Sequence, residues 1–146
     1  MKTQLLVPLY TLEDGNSERL APHVAALASQ AEASVKALAH VVTFPNVTHV
    51  FGKSLIDVPR LVADAKAACR AQGKKLELAL GAALQPAGIG MTTAEVECFA
   101  TAFGDASAEE ARYHDLVLFG IPKGSAAIID TAQAILFGSG RPGVLV

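Results

Sequence analysis

Short unbroken apolar runs alternate along this chain with stripes of helical spacing. Leu5-Leu6-Val7-Pro8-Leu9 is one such run, the pattern of a strand covered on both faces. Glu13 to Ser17 is a polar turn, after which Leu20, Val24, Leu27 and Ala31 share one stripe of a helix. Pro22 constrains where that helix begins, since proline belongs in a first turn. Val35 to Phe44 predicts a second buried strand, closed by Pro45, and Asn46 to Lys53 a loop. Ser54 or Asp57 is the expected cap of the next helix, with Pro59 near its start and Val58, Leu61, Val62, Ala65 and Cys69 on its apolar side. Leu76 to Leu80 alternates like a strand. Leu76, Leu80 and Leu84 also continue the helical stripe, and the flanking alanines favour helix. The helix is therefore expected to pass its weak point at Gly73 and to end at Pro86 to Gly90.

Glu95 to Phe103 is the expected third strand. Asp105-Ala106-Ser107 offers N-cap chemistry for a short helix through Arg112, with Glu109 and Glu110 near its positive end. Leu116 to Gly120 reads as a fourth buried strand. After Pro122 and Gly124, a helix presents Ile128, Ile129, Ala132, Ile135 and Leu136 on one side; Gly138 to Pro142 is a turn, and Val144-Leu145-Val146 starts a last strand. The alternation implies an α/β domain with an open five-stranded, mostly parallel sheet and helices on both faces, Rossmann-like in plan. At 146 residues the chain has the length of one domain.

Composition narrows the function classes. The net charge of −2 provides no basic field for a phosphate backbone, so nucleic acid is not an expected partner. No apolar run reaches the ~18 residues needed to span a bilayer, and the early Pro8 interrupts any signal-peptide core. A cytoplasmic setting is the resulting expectation. Cys69 and Cys98 match no metal or redox spacing, and neither do His23, His40, His49 and His114. Apolar residues make up 51% of the chain, enough to suggest a face reserved for a partner.

Three stretches resemble the universal stress protein family: Leu5 to Leu9, His114 to Gly120, and Ile135 to Val146, the last two being the more specific. The last is similar to bacterial members with two such domains in tandem. The resemblance implies a single domain over residues 1–146 of the adenine nucleotide alpha hydrolase-like fold, lacking a following second domain. ATP-binding members place an Asp after the first strand, near adenine, and carry Gly-x2-Gly-x9-Gly-Ser/Thr after the fourth. Here Tyr10 stands where the Asp would be, and Lys123 where the second glycine would be. Gly124 is too far from Gly138 for the family spacing, while Gly138-Ser139 matches the motif's end.

Open parallel sheets bind ligands beyond the carboxyl ends of their strands, where the strand order reverses. With this fold, Tyr10, Val41, Gly120 and the Gly138 turn are expected to border that crevice. Gly138, Ser139, Gly140 and Arg141 offer amides, a hydroxyl and a guanidinium to phosphate oxygens. The same residues also serve a plain helix-to-strand turn, with Arg141 solvated or capping carbonyls. Lys123 either approaches a phosphate or stays in solvent, and His40 reads as a core or crevice-edge residue. No P-loop, Gly-x-Ser-x-Gly elbow or Gly-x-Gly-x-x-Gly occurs, so catalysis beyond weak ATP hydrolysis is not expected. Two functions remain open. One is a stress-response regulatory domain binding ATP or another adenine nucleotide, as a homodimer or beside a sister domain. The other is an interaction module whose partner domain holds the ligand.

Overall fold

A computed structural model describes residues 1–45 and 57–146. The expected loop at 46–53, the cap at Ser54 and His49 lie outside the described residues. The elements are β1 (Thr3–Leu9), α1 (Leu20–Gln30), β2 (Ala33–Val42), α2 (Val58–Leu84), β3 (Met91–Cys98), α3 (Phe103–Ala111), β4 (Leu116–Phe119), α4 (Ala126–Ser139) and β5 (Gly143–Leu145), with short 3-10 turns at Gln85–Ala87 and Ala100–Ala102. All pairings are parallel, in the order β3-β2-β1-β4-β5. The chain builds outward from β1 in one direction, then returns and builds in the other. That reversal sends the helices to opposite faces.

Residue alternation along the central strands feeds two cores. Leu5, Val7 and Leu9 of β1 pack with Leu20, Val24 and Ala28 of α1 and Leu76, Leu80 and Leu84 of α2. On the other face Leu6 and Tyr10 meet Phe103 of α3, Ile128, Ala132 and Ile135 of α4, and Val117 and Phe119 of β4. Each large apolar side chain so buried contributes about 1.5–3 kcal/mol. α2 is a single 27-residue helix that runs unbroken through Gly73, capped by the Asp57 carboxylate accepting from the Arg60 amide at 3.1 Å. The stretch from Leu76 to Leu80 is helical, as its stripe predicts.

Three boundaries differ from the sequence reading. The third strand is Met91–Cys98 rather than Glu95 to Phe103. Its α2 side is polar because Glu95 and Glu97 face Arg70 and Lys66 of that helix, so the edge strand lacks a buried strand's apolar run. Phe99 to Phe103 instead turns through a 3-10 segment into α3. That helix starts at Phe103, whose fully buried ring anchors it, and no side chain caps it. Asp105 lies in its first turn and Ser107 is buried, so neither takes the predicted capping role. Finally, α4 continues through Gly138 and Ser139, where a turn was predicted, and stops at Gly140, whose φ of 64° suits a residue without Cβ. Ile129, expected on the packed side of this helix, is 47% exposed.

Candidate functional site

The order of the sheet reverses between β1 and β4, and the ends of those strands are tied together by one side chain. Asn16, from the turn after β1, accepts from the Tyr10 amide through Oδ1 at 2.8 Å and donates from Nδ2 to the Gly120 carbonyl at 2.9 Å. Its own amide donates to the Tyr10 carbonyl at 2.8 Å, and Gln72 of α2 donates to its carbonyl at 3.1 Å. Gly120 is required here by close approach: a Cβ on it would lie 2.7 Å from Asn16 Nδ2 and 2.9 Å from Leu20 Cδ1.

Asn16 and Leu20 thus divide the crevice. On the α1 side a cavity of about 470 Å³ is bordered by Asn16, Arg19, His23, Gly120 and Lys123. On the α3/α4 side a cavity of about 310 Å³ is bordered by Tyr10, Thr101, Gly104, Asp130 and Thr131. The β4–α4 connection links them along the rim. It carries Lys123 and Gly124, the latter at φ 88°, and delivers Ser125 to the N-cap of α4. Ser125 makes no side-chain capping bond there. The positive end of a 14-residue helix therefore faces the crevice without a capping side chain.

Tyr10 closes the inner wall. Its ring lies 5.8 Å from Phe103 and 5.9 Å from His40, and His40 stacks on Phe103 at 4.6 Å. Burial, with the Asp14 carboxylate and Cys69 adding to it, pushes the Tyr10 phenol up, so it stays neutral. His40 is fully buried, and burial lowers its pKa from 6.5, against the bond to the Cys98 carbonyl at 3.1 Å. A carbonyl accepts only, so Nε2 carries the hydrogen and Nδ1, which has no partner, is a buried acceptor. Thr11 completes this shell by donating to the His40 carbonyl at 2.5 Å.

The structure brings Tyr10, Val41, Gly120 and Lys123 to the carboxyl end of the sheet, with Val41 itself 1% exposed within β2. It does not bring Gly138, Ser139, Gly140 and Arg141 there. β4 and β5 are parallel, so α4 runs back between them and its last residues lie at the amino end of the sheet. Fourteen helical residues span about 21 Å. At that distant end Arg112 donates to the Gly138 carbonyl at 3.1 Å and Arg141 to the Arg112 carbonyl at 2.6 Å. The guanidinium of Arg141 is a cap for main-chain oxygens, as cations are at a helix C-terminus. This corrects the expected phosphate cradle at the Gly138 turn.

Sequence reasoning missed Asn16, Arg19, His23 and Asp130, which no spacing connects to Tyr10. Gly124-Ser125 was detectable as an N-cap before an apolar helix. His114 lies at the amino edge just before β4, with Nδ1 2.9 Å from the Glu110 carbonyl.

No family model and no curated protein matches this sequence. Solved structures do match over nearly its full length. A universal stress family protein from Burkholderia pseudomallei is similar at 17% identity and TM-score 0.62, covering 99% of this chain and 95% of its own. The universal stress protein UspA from Lactobacillus plantarum is similar at 15% identity and TM-score 0.68, covering 99% and 97%. A universal stress protein in complex with cAMP is similar at 13% identity and TM-score 0.51, covering 99% and 96%. Order of elements, sheet topology and these likenesses agree: the chain has the fold of the universal stress proteins.

Proposed function

We propose that this chain is a universal-stress-protein-like regulatory domain of the stress response that binds an adenine nucleotide across the divided crevice. The carrying observation is the β4–α4 connection, where Lys123 borders the α1-side cavity and the uncapped start of α4, through Ala127, borders the Tyr10 cavity. Phosphate oxygens suit such an end, since first-turn amides and the helix dipole both favour negative charge. The base lies against Tyr10, and the Asp130 carboxylate in the same wall accepts from an amino group or ribose hydroxyl. Asp130 thereby supplies an acceptor that position 10 lacks. The fold likeness to a protein solved with cAMP supports the same ligand class, and ATP is the member of that class best matched to a cationic rim.

The domain acts by binding rather than turnover, with at most slow ATP hydrolysis. The cavities hold a carboxylate, hydroxyls and cations, but no nucleophile held by a base. A second copy or a sister domain covers the β5 edge, where Leu145, Val146 and, on α4, Phe137 are 46%, 39% and 85% exposed. No helix among the described residues is long and apolar enough to cross a membrane.

The test is calorimetric titration of ATP, AMP and cAMP into the full chain, with its mass recorded in the same buffer. Saturable binding that Lys123→Glu weakens supports the reading. Absence of binding by all three overturns it, and a stable dimer without binding would leave an interaction module.

A further inference from the structure

Basic side chains in this protein mostly have partners. Lys36, Lys66, Arg70, Lys74 and Lys75 each lie within 4 Å of a carboxylate, while Arg112 and Arg141 donate to carbonyls. Arg19 and Lys123, like Lys2 and Arg60, have neither a carboxylate within 4 Å nor a side-chain hydrogen bond among the described residues. Of these four, only Arg19 and Lys123 border a described cavity. Both line the α1-side cavity of about 470 Å³, together with His23, and its wall contains no Asp or Glu. Two cations without ion pairs on a concave wall raise the local concentration of anions. The start of α1 adds little of its own. The Leu20 and Ala21 amides already donate to the Ser17 and Glu18 carbonyls at 3.1 Å, and Pro22 has no amide hydrogen. Recognition in this cavity therefore falls to side chains.

Resting on the reading of the crevice as a nucleotide site, we infer that the α1-side cavity receives the terminal phosphates of a nucleoside triphosphate, held by Arg19 and His23 together with Lys123. Asn16 separates this cavity from the Tyr10 wall. A base held at Tyr10 must then send a chain of phosphates over the β4–α4 rim to reach it. A monophosphate ends at Lys123 and the start of α4. A triphosphate extends to Arg19 and His23. The planar fork of Arg19 suits two oxygens of one phosphate.

The experiment titrates ATP, AMP and inorganic triphosphate into the full chain and into Arg19→Ala, Arg19→Glu and His23→Ala. Arg19 makes no capping bond, so these variants should keep wild-type circular dichroism. Loss of one charge-assisted contact should weaken ATP roughly tenfold in Arg19→Ala while leaving AMP unchanged. Wild type should prefer ATP to AMP by at least that factor. Arg19→Ala and Arg19→Glu binding ATP as wild type does would overturn the inference, as would equal wild-type affinity for ATP and AMP. If no adenine nucleotide binds, yet inorganic triphosphate binds and requires Arg19, the nucleotide reading falls and the cavity assignment stands. If nothing binds, both fall.

Discussion

Asn16 and Gly120, 104 residues apart in sequence, are joined by a 2.9 Å hydrogen bond across the point where the sheet order reverses. The bond is buried, and the other side-chain atom of Asn16 takes the Tyr10 amide. One amide thus satisfies a donor on the β1 end and an acceptor on the β4 end, which no ladder partner reaches. Asn16→Ala leaves both unpaired, and the expected loss in a urea titration is about 2 kcal/mol or more. Asn16→Asp keeps the acceptor but sets a carboxylate against the Gly120 carbonyl. Its destabilisation should exceed that of Asn16→Ala at pH 7 and shrink on acidification as the carboxyl gains a donor. Equal stability of both variants and wild type would remove Asn16 as the tie.

His40 predicts an acid-sensitive step in stability. Its folded pKa lies below the ordinary 6.5 because burial disfavours the imidazolium. The unfolded chain then binds the proton more readily than the folded one. The contribution is fully present above pH 6.5 and is lost as pH falls from 6.5 toward the folded value. His40→Phe retains an aromatic ring on Phe103 and removes the titration. Urea midpoints at pH 7.5 and 5.5 should differ more for wild type than for the variant. Parallel slopes would assign the acid sensitivity elsewhere.

The two thiols should be slow to react while the chain is folded. Cys69 is 2% exposed, and burial raises the pKa of Cys98 above 9.0, depleting the reactive thiolate. With a thiol-reactive chromophore at pH 7.5, modification is expected to be slow in buffer and complete within seconds in denaturant. Rapid labelling of the folded chain would show that the thiols are reached without global unfolding.

What the sequence made legible follows from burial. Strands β1, β2 and β4 are covered on both faces, and a strand without a solvent face is a continuous apolar run. β3 is an edge strand, and its carboxylates look like surface until Lys66 and Arg70 are placed opposite them. Phe103, assigned by type to that strand, instead buries its ring as the first residue of α3. Half of the crevice was readable in the same way. Tyr10, Gly120 and Lys123 follow strand ends, which sheet topology directs to one rim. Asn16, Arg19 and Asp130 join them only through the folding of two loops and a helix, and no local pattern encodes that meeting. Gly138 and Ser139 misled because a glycine-serine pair suits either end of a helix; only the parallel pairing of β4 with β5 shows which end it is.

The misleading pair supplies the sharpest control. A Cβ on Gly138 would lie 3.0 Å from the Ala108 Cβ, so this glycine lets α3 and α4 pack closely. Gly138→Val overfills that contact and should cost about 1–3 kcal/mol. The change lies one helix length from the crevice, so nucleotide affinity should not move at a temperature where the variant is folded. Lys123→Glu is expected to behave in the opposite way. Lys123 is exposed and makes no ion pair among the described residues, so stability should change by less than about 0.5 kcal/mol. Reversing a charge at the proposed phosphate site should meanwhile weaken ATP by roughly tenfold or more. Thermal melts and ATP titrations on the two variants read both quantities. Loss of affinity in folded Gly138→Val, with Lys123→Glu unaffected, would return the phosphate site to the amino end of the sheet.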